Sequence, residues 1–340
     1  MSDAVKPTEY DEIPYPCGGQ EQTHPANLAT LAALFGLTPP ELSTCRVLEL
    51  GCGDGSNLIP MAMALPQATF VGIDLSIRQL EVGQREVQQL GIQNLSLRHQ
   101  NILDFGEGEQ PFDYIIGHGI YSWVPAPVRK KILEICSRLL TKNGIAYLSY
   151  NTYPGWHLRA PIRDMMRFHT QHISEPKRRV AQGLAMVNFV ATAVPQHLQI
   201  YRRNVEAELL RLSELPADYV IHDDLGEINQ PFYFHEFITA DLRVDLCAVI
   251  GALRLHEGAA GLQTKRPREH GVVVAVLDEI ERVGVGHDEL AVERAARDDH
   301  LIVIRRRVVR AEVLERVLVG GGADVEDVRP DGGEVREVQV

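Results

Sequence analysis

The stretch Val47-Leu48-Glu49-Leu50-Gly51-Cys52-Gly53-Asp54-Gly55 decides the fold. Val47, Leu48 and Leu50 suit a strand covered on both faces. The three glycines then turn the chain into a helix and let a flat, nucleotide-like ligand lie against the backbone. A dinucleotide site asks for G-x-G-x-x-G, with a pyrophosphate on the helix N-terminus. Here the spacing is G-x-G-x-G, and the third place of the dinucleotide pattern is Ser56. Glu49 stands two residues before the first glycine. A carboxylate there would repel a pyrophosphate but suits a ligand bearing an ammonium or sulfonium group, which disfavours a nicotinamide oxidoreductase.

Working outward, Ala68 to Leu75 reads as a second strand ending in an acid, Asp74, 19 residues after Gly55. That separation holds one helix and one strand, so both strand ends reach the same sheet edge, and an acid there can accept two ribose hydroxyls. Leu95 to Gln100 reads as strand three, followed by Asn101-Ile102-Leu103-Asp104. Phe112 to Gly119 reads as strand four and Gly144 to Tyr150 as strand five. Helical patterns fall between them at Asn57 to Leu65, Ser76 to Leu90 and Val128 to Leu140, with Ser76 as an N-cap and Gly91 and Gly144 as stops. Strands alternating with helices predict an α/β fold, a doubly wound, mostly parallel, Rossmann-like sheet with ligands beyond the carboxyl ends of its strands.

The glycine turn resembles motif I of the class I S-adenosylmethionine (SAM)-dependent methyltransferases. The resemblance narrows with Tyr10-Asp11-Glu12-Ile13-Pro14-Tyr15-Pro16, Thr23-His24-Pro25 and Leu28-Ala29-Thr30-Leu31-Ala32 before the turn. It continues with Tyr150-Asn151-Thr152-Tyr153-Pro154-Gly155-Trp156-His157, His222-Asp223-Asp224-Leu225 and Phe232-Tyr233-Phe234-His235-Glu236-Phe237. Over residues 8 to 238 the chain resembles the bacterial SAM methyltransferases that carry a methyltransferase regulatory domain, a group similar to the rickettsial protein-lysine methyltransferases of outer-membrane proteins. The resemblance implies SAM as cofactor and Glu49, Gly51, Cys52, Gly53, Asp54, Gly55, Asn57, Asp74, Leu75, Asn101, Ile102 and His118 as its contacts, with Asn101 at the adenine edge. Tyr10 and Tyr15 would close over the cofactor as a lid, against the alternative that the leader only packs on the sheet. It also implies a protein substrate bearing lysine.

Composition agrees. The chain has 340 residues, is 45% hydrophobic and carries a net charge of -12, enough for two domains and against general nucleic-acid binding. No apolar run approaches the ~20 residues that span a membrane. The start, Met1 to Gln22, lacks the basic and apolar regions of a signal peptide. Five cysteines, at 17, 45, 52, 136 and 247, show neither metal-ligand spacing nor a disulfide framework, which suits a cytoplasmic protein without a metal.

The expected organisation is a leader or lid at 1–43, a SAM-binding core at 44–156, a helical insertion at 157–216 and a segment at 217–240. That last segment should return to the sheet as strand six (Tyr219-Val220-Ile221-His222) and begin a regulatory domain. The insertion either caps the ligand edge or is a packing layer. Residues 241–340 differ in kind: all 21 aromatics precede residue 238, and the last hundred residues hold 20 Val, 14 Arg and one Lys, Lys265. We read this atypical tail as translated out of frame from a GC-rich gene or disordered, against the alternative of a divergent domain; a regulatory-domain-like sequence in another reading frame near residue 240 decides it. In that event a seventh strand must come from Leu242 to Ile250 or be missing.

The candidate catalytic residues are His118, Tyr121 and Trp123, which follow strand four where a transferable methyl should emerge. Tyr121 and Trp123 would wall a lysine stem, against the alternative that Trp123 only packs. Tyr153, Trp156 and His157 form a second cluster. Lysine methylation stands first, a small-molecule or lipid methyltransferase second, and a SAM-binding but inactive remnant third.

Overall fold

The computed structural model describes residues 9–34 and 37–237, together with strands at 248–255, 262–263 and 272–280. A short helix α1 (Glu9–Glu12) and α2 (Pro25–Leu34) precede the sheet. Then β1 (Arg46–Leu50), α3 (Leu58–Ala64), β2 (Thr69–Asp74), α4 (Ile77–Gln89), β3 (Leu95–His99), β4 (Phe112–Gly117), α5 (Ala126–Leu139) and β5 (Leu140–Asn151) follow. The five strands are parallel in the order β3-β2-β1-β4-β5. The order reverses between β1 and β4, which opens a crevice beyond their carboxyl ends.

Period-two alternation explains the two cores. Val47, Phe70, Tyr114, Ile116 and Tyr147 face α2, α3 and α4, whereas Leu48, Leu50, Val71, Ile73, Ile115 and Leu148 face α5. Each such fully buried side chain is worth about 1.5–3 kcal/mol relative to exposure. The same alternation puts Glu49 on the face of Val47, beneath the start of α3. Local chemistry sets the helix ends: Ser76 caps α4 by accepting from the Gln79 amide, and Gly91 stops it at φ 67°.

Gly144 does not stop a helix. α5 ends at Leu139 and runs straight into β5, which bulges between Leu140, opposite Phe112, and Ile145, opposite Tyr114. Gly144 lies inside the bulge, where an added Cβ would meet the Thr141 backbone at 3.0 Å.

Three helices, α6 (Trp156–Thr170), α7 (Pro176–Ala193) and α8 (Gln199–Glu214), form a separate layer. Its apolar cluster includes Ile162, Met166, Val180, Val187, Val205 and Leu212. The expected strand six is not one: Ala217–Tyr219 is a turn of helix, α9, continued by a π-helical turn at Val220–Asp224. The β-branched pair misled, because Val220 and Ile221 both join Leu225 in the cluster of the helical layer. A strand would have sent adjacent side chains to opposite faces.

The place beside β5 is taken from farther along the chain. Strands β6 (Ala248–Leu255), β7 (Leu262–Gln263) and β8 (Val272–Ile280) extend the sheet in the order β5-β8-β6-β7. β8 runs parallel to both β5 and β6, and β7 is antiparallel to β6. The rest of the tail, and with it the reading of residues 241–340 as out of frame or disordered, lies outside the described residues.

Candidate cofactor site

The chain leaves β1 at Leu50 and crosses the sheet edge with Gly51, Gly53 and Gly55 at φ 72°, 54° and 78°. These are left-handed conformations that a side chain would strain. The turn is also crowded. An added Cβ on Gly51 would lie 2.7 Å from Ile120 Cδ1, and one on Gly53 would lie 2.5 Å from Cys17 Sγ. From behind, α4 closes to contact: a Cβ on Gly83 would lie 1.8 Å from the Asp54 carbonyl oxygen. The Gly51 and Cys52 amides donate to the Ile73 carbonyl (2.9 and 3.1 Å), which ties the turn to β2.

Asp74 ends β2 beside this turn. Its carboxylate accepts from the Gly53 amide (2.9 Å) and the Ser76 amide (2.8 Å), each oxygen keeping lone pairs for another donor. Burial raises its pKa, and the two backbone amides hold that rise back. Leu75 follows with its apolar side chain 41% exposed at the same edge. Across the edge, Asn101 accepts from the Leu103 amide (2.9 Å) and starts the turn that carries the buried Ile102.

Glu49 is 4% exposed, and only one of its oxygens is used. Oε1 accepts from Asn57 Nδ2 (2.7 Å); Oε2 is buried with no hydrogen-bond partner among the described residues. Burial pushes this carboxyl up to about 8, against the Asn57 hydrogen bond, with Asp74 and Asp54 adding to the rise. A half-satisfied buried carboxylate facing a glycine turn is costly unless a cation completes it. The donor set therefore fits a ligand with a cationic end and a ribose. Cys52 turns inward, with its Sγ 2.8 Å from where a Gly72 Cβ would be, so only its backbone faces the turn. Asp54 accepts from Ser56 Oγ and from its amide, which fixes the turn internally.

The leader lies across all of this, through contacts the sequence pattern did not specify. Asp11 accepts from Ser76 Oγ (2.8 Å) and the Arg78 amide (3.3 Å). Gln79 Nε2 donates to the Tyr15 carbonyl (2.9 Å) and contacts Cys17 Sγ (3.1 Å). The Gln20 amide donates to Asn57 Oδ1 (2.8 Å), so Asn57 is spent on Glu49 and the leader rather than aimed at a ligand. On its other side the leader meets the helical layer. Tyr10 stacks on His222 at 4.6 Å, His222 Nε2 donates to the Ile13 carbonyl (2.8 Å), and Tyr219 OH donates to the Pro16 carbonyl (3.2 Å). Asp11, Gln79 and His222 are the residues that sequence reasoning missed; the signal available was the Ser76 cap, beside which an acid has a ready donor.

The residues after β4 divide. His118 stays at the edge, its Nδ1 3.2 Å from Tyr147 OH, while the Gly119 amide donates to Ser149 Oγ (2.8 Å). Tyr121 is no exposed wall: it is 3% exposed and packs on Tyr150, Phe232 and Phe237. Its place at the start of a tight 3₁₀ turn (Tyr121–Trp123) swings it back into the α5-side core. Trp123 meets Trp156 edge to face at 6.5 Å, and Trp156 carries Arg159 on its ring. Tyr153 and His157 stack on each other and reach Tyr233, a cluster of their own on the surface.

Sheet order, switch-point crevice and glycine turn define a doubly wound protein that binds a cationic nucleoside cofactor. Comparison with known proteins gives the family. A profile described as a methyltransferase domain matches residues 41–210. An uncharacterised protein of Rickettsia prowazekii is 41% identical over 229 residues, covering 67% of this chain and 92% of its own length. A second from the same organism is 43% identical over 229 residues, covering 67% of this chain and 41% of that protein. The structure of PKMT2 from Rickettsia typhi in complex with AdoHcy is 39% identical with a TM-score of 0.63, covering 68% of this chain and 44% of that one. The chain thus spans less than half the length of two of these three relatives. It belongs to the class I SAM-dependent methyltransferases, and S-adenosylmethionine is the cofactor the site is built for. Among the described residues no helix is long and apolar enough to cross a membrane.

Proposed function

We propose that the chain transfers a methyl group from S-adenosylmethionine to a lysine side chain of a protein. The observation that carries this reading is the buried, half-satisfied Glu49 beside the three-glycine turn, together with the likeness to rickettsial PKMT2. Bound, the cofactor supplies an electrophilic methyl on a sulfonium. The chain's residues do the rest. Asp74 receives the ribose hydroxyls, Leu75 and Ile102 flank the base, and Asn101 reads its edge. Gly51, Cys52, Gly53, Asp54 and Gly55 supply the backbone surface. Glu49, oriented by Asn57, faces the cationic methionine end. Tyr15 roofs the site, and His118 stands at the mouth. In-line transfer gains most from holding the acceptor near the methyl and excluding water, and a leader packed on the turn serves both ends. The domain division at 1–43, 44–156, 157–216, 217–240 and 241–340 follows the same reading, with a helical turn in place of the return strand.

Calorimetry with S-adenosylhomocysteine, beside Asp74→Ala, tests the site. Micromolar binding that the variant loses at least tenfold, ~1.4 kcal/mol, is expected. Radiolabelled SAM with poly-lysine and with a small-molecule extract then tests the acceptor. Label in protein supports lysine, label only in small molecules favours the second reading, and binding without label favours an inactive cofactor binder.

A further inference from the structure

In the motif His222-Asp223-Asp224-Leu225, His222 holds the leader, whereas Asp223 has no part in the cofactor site, yet the structure brings it to the same leader. Three acids gather in this corner of the helical layer, and two are committed to cations. Glu208 is ion-paired with Arg211 (2.9 Å) and Arg159 (3.7 Å), and Asp224 with Arg211 (2.6 Å). Asp223 makes no ion pair among the described residues, and its one hydrogen bond there is a long one, 3.4 Å from Tyr15 OH. Around it stand aromatic rings: Tyr219 edge-on to Tyr15 at 5.2 Å, His222 at 5.6 Å from Tyr15, and Tyr10 stacked on His222. Tyr15 is itself two residues from Cys17, whose sulfur lies against Gly53.

We propose that Asp223, framed by the rings of Tyr15, Tyr219 and His222, receives the ammonium of the acceptor lysine and takes its proton before methyl transfer. This inference rests on the methyltransferase reading and names the acceptor group within it. A carboxylate with no ion pair among the described residues, beside aromatic side chains, is a site for an alkylammonium. The proton leaves nitrogen for an Asp223 oxygen, which frees the nitrogen lone pair to attack, and Asp223 then returns the proton to solvent. Burial, reinforced by Asp224, pushes the Asp223 carboxyl up to about 7, against Arg159, the Tyr15 hydroxyl and Arg211, a value suited to proton transfer near neutrality. The charged and titratable groups facing it are Tyr10 and Tyr15 from the leader, Arg159 and Arg163 from α6, Arg211 from α8, and Tyr219, His222 and Asp224 from its own turn.

The test is direct binding of a lysine-bearing peptide, and of the same peptide with the lysine acetylated, to the full chain saturated with S-adenosylhomocysteine. Wild type should prefer the unmodified peptide at least tenfold. Asp223→Asn should lose that preference while its S-adenosylhomocysteine affinity stays within twofold, which also reports that it folds. Tyr15→Phe, which removes the competing hydroxyl, should bind the lysine peptide as well as wild type or better. If the label reaches lysine in wild type, Asp223→Asn should also lose the rise of kcat/KM near pH 7. Equal preference for the lysine peptide in wild type and Asp223→Asn overturns the inference, as does no preference in either. Loss of S-adenosylhomocysteine binding by wild type instead overturns the methyltransferase reading itself.

Discussion

The sheet half and the helical layer are held together by different physics. In the sheet half, apolar side chains alternate across β1–β5 and fill two cores, and the glycine turn is tied to β2 by backbone hydrogen bonds. In the helical layer, a modest apolar cluster sits beside buried charges: Arg159, Arg163 and Glu208 are all under 9% exposed, and Arg163 donates to the Gly226 carbonyl. Close packing tolerates little change of shape, whereas a buried ion network tolerates little change of charge. The first half therefore breaks on a methyl group and the second on a lost partner.

The largest expected effect follows from shape. Gly83→Ala places a Cβ 1.8 Å from the Asp54 carbonyl oxygen, a backbone atom that cannot step aside. It should cost about 3 kcal/mol, read as a lower denaturant midpoint, and should abolish cofactor binding. A variant that binds S-adenosylhomocysteine normally would show that α4 stands farther from the turn.

Charge should break the other half. Arg211→Met leaves Glu208 and Asp224 buried without their shared cation, for a loss of about 2–3 kcal/mol, discounted from the fully buried case because Arg211 is 19% exposed. Hydrogen exchange should locate the loss in α6–α8 while β1–β5 stay protected. Uniform loss over both halves would mean that they unfold as one unit.

Glu49 sharpens the comparison, since it is a charge misfit inside the well-packed half. In the unfolded chain its carboxyl titrates in the ordinary range, near 4.3; folded and without cofactor it is held up to about 8. The folded state therefore binds the proton more tightly, so stability is greatest in acid, falls as pH rises between those values and is flat above. Glu49→Gln should remove that fall. At pH 8.5 the cofactor-free variant should be more stable than wild type, at pH 4 no different, and it should bind SAM at least tenfold more weakly. Parallel pH–stability curves for the two proteins would sink this account.

The same division governs what the sequence shows in advance. The strands, the Ser76 cap, the Gly91 stop and the edge position of Asp74 are local or near-local events, with period two, a cap rule and a helix-plus-strand spacing as their signals. Glu49 was legible for the same reason, two residues from a glycine. The turn at Val220–Asp224 was not, because β-branched residues state a preference that burial against Val205 and Leu212 overrides. Nor was the inward swing of Tyr121, which depends on Phe232 and Phe237, more than a hundred residues away. The leader's contacts with Gln79 and His222 join partners 64 to 209 residues apart, and no periodicity carries that information.

On the proposed reading, those contacts make the leader a shared door. Residues 10–20 are fastened on one side to the turn that would release spent cofactor and on the other to the corner that would admit the acceptor. Loosening either fastening loosens both, so entry and exit cannot be independent events. Turnover should be ordered, with cofactor first on and last off: S-adenosylhomocysteine should inhibit competitively against SAM, and the methylated acceptor noncompetitively. A random-order pattern would mean that the door has two leaves.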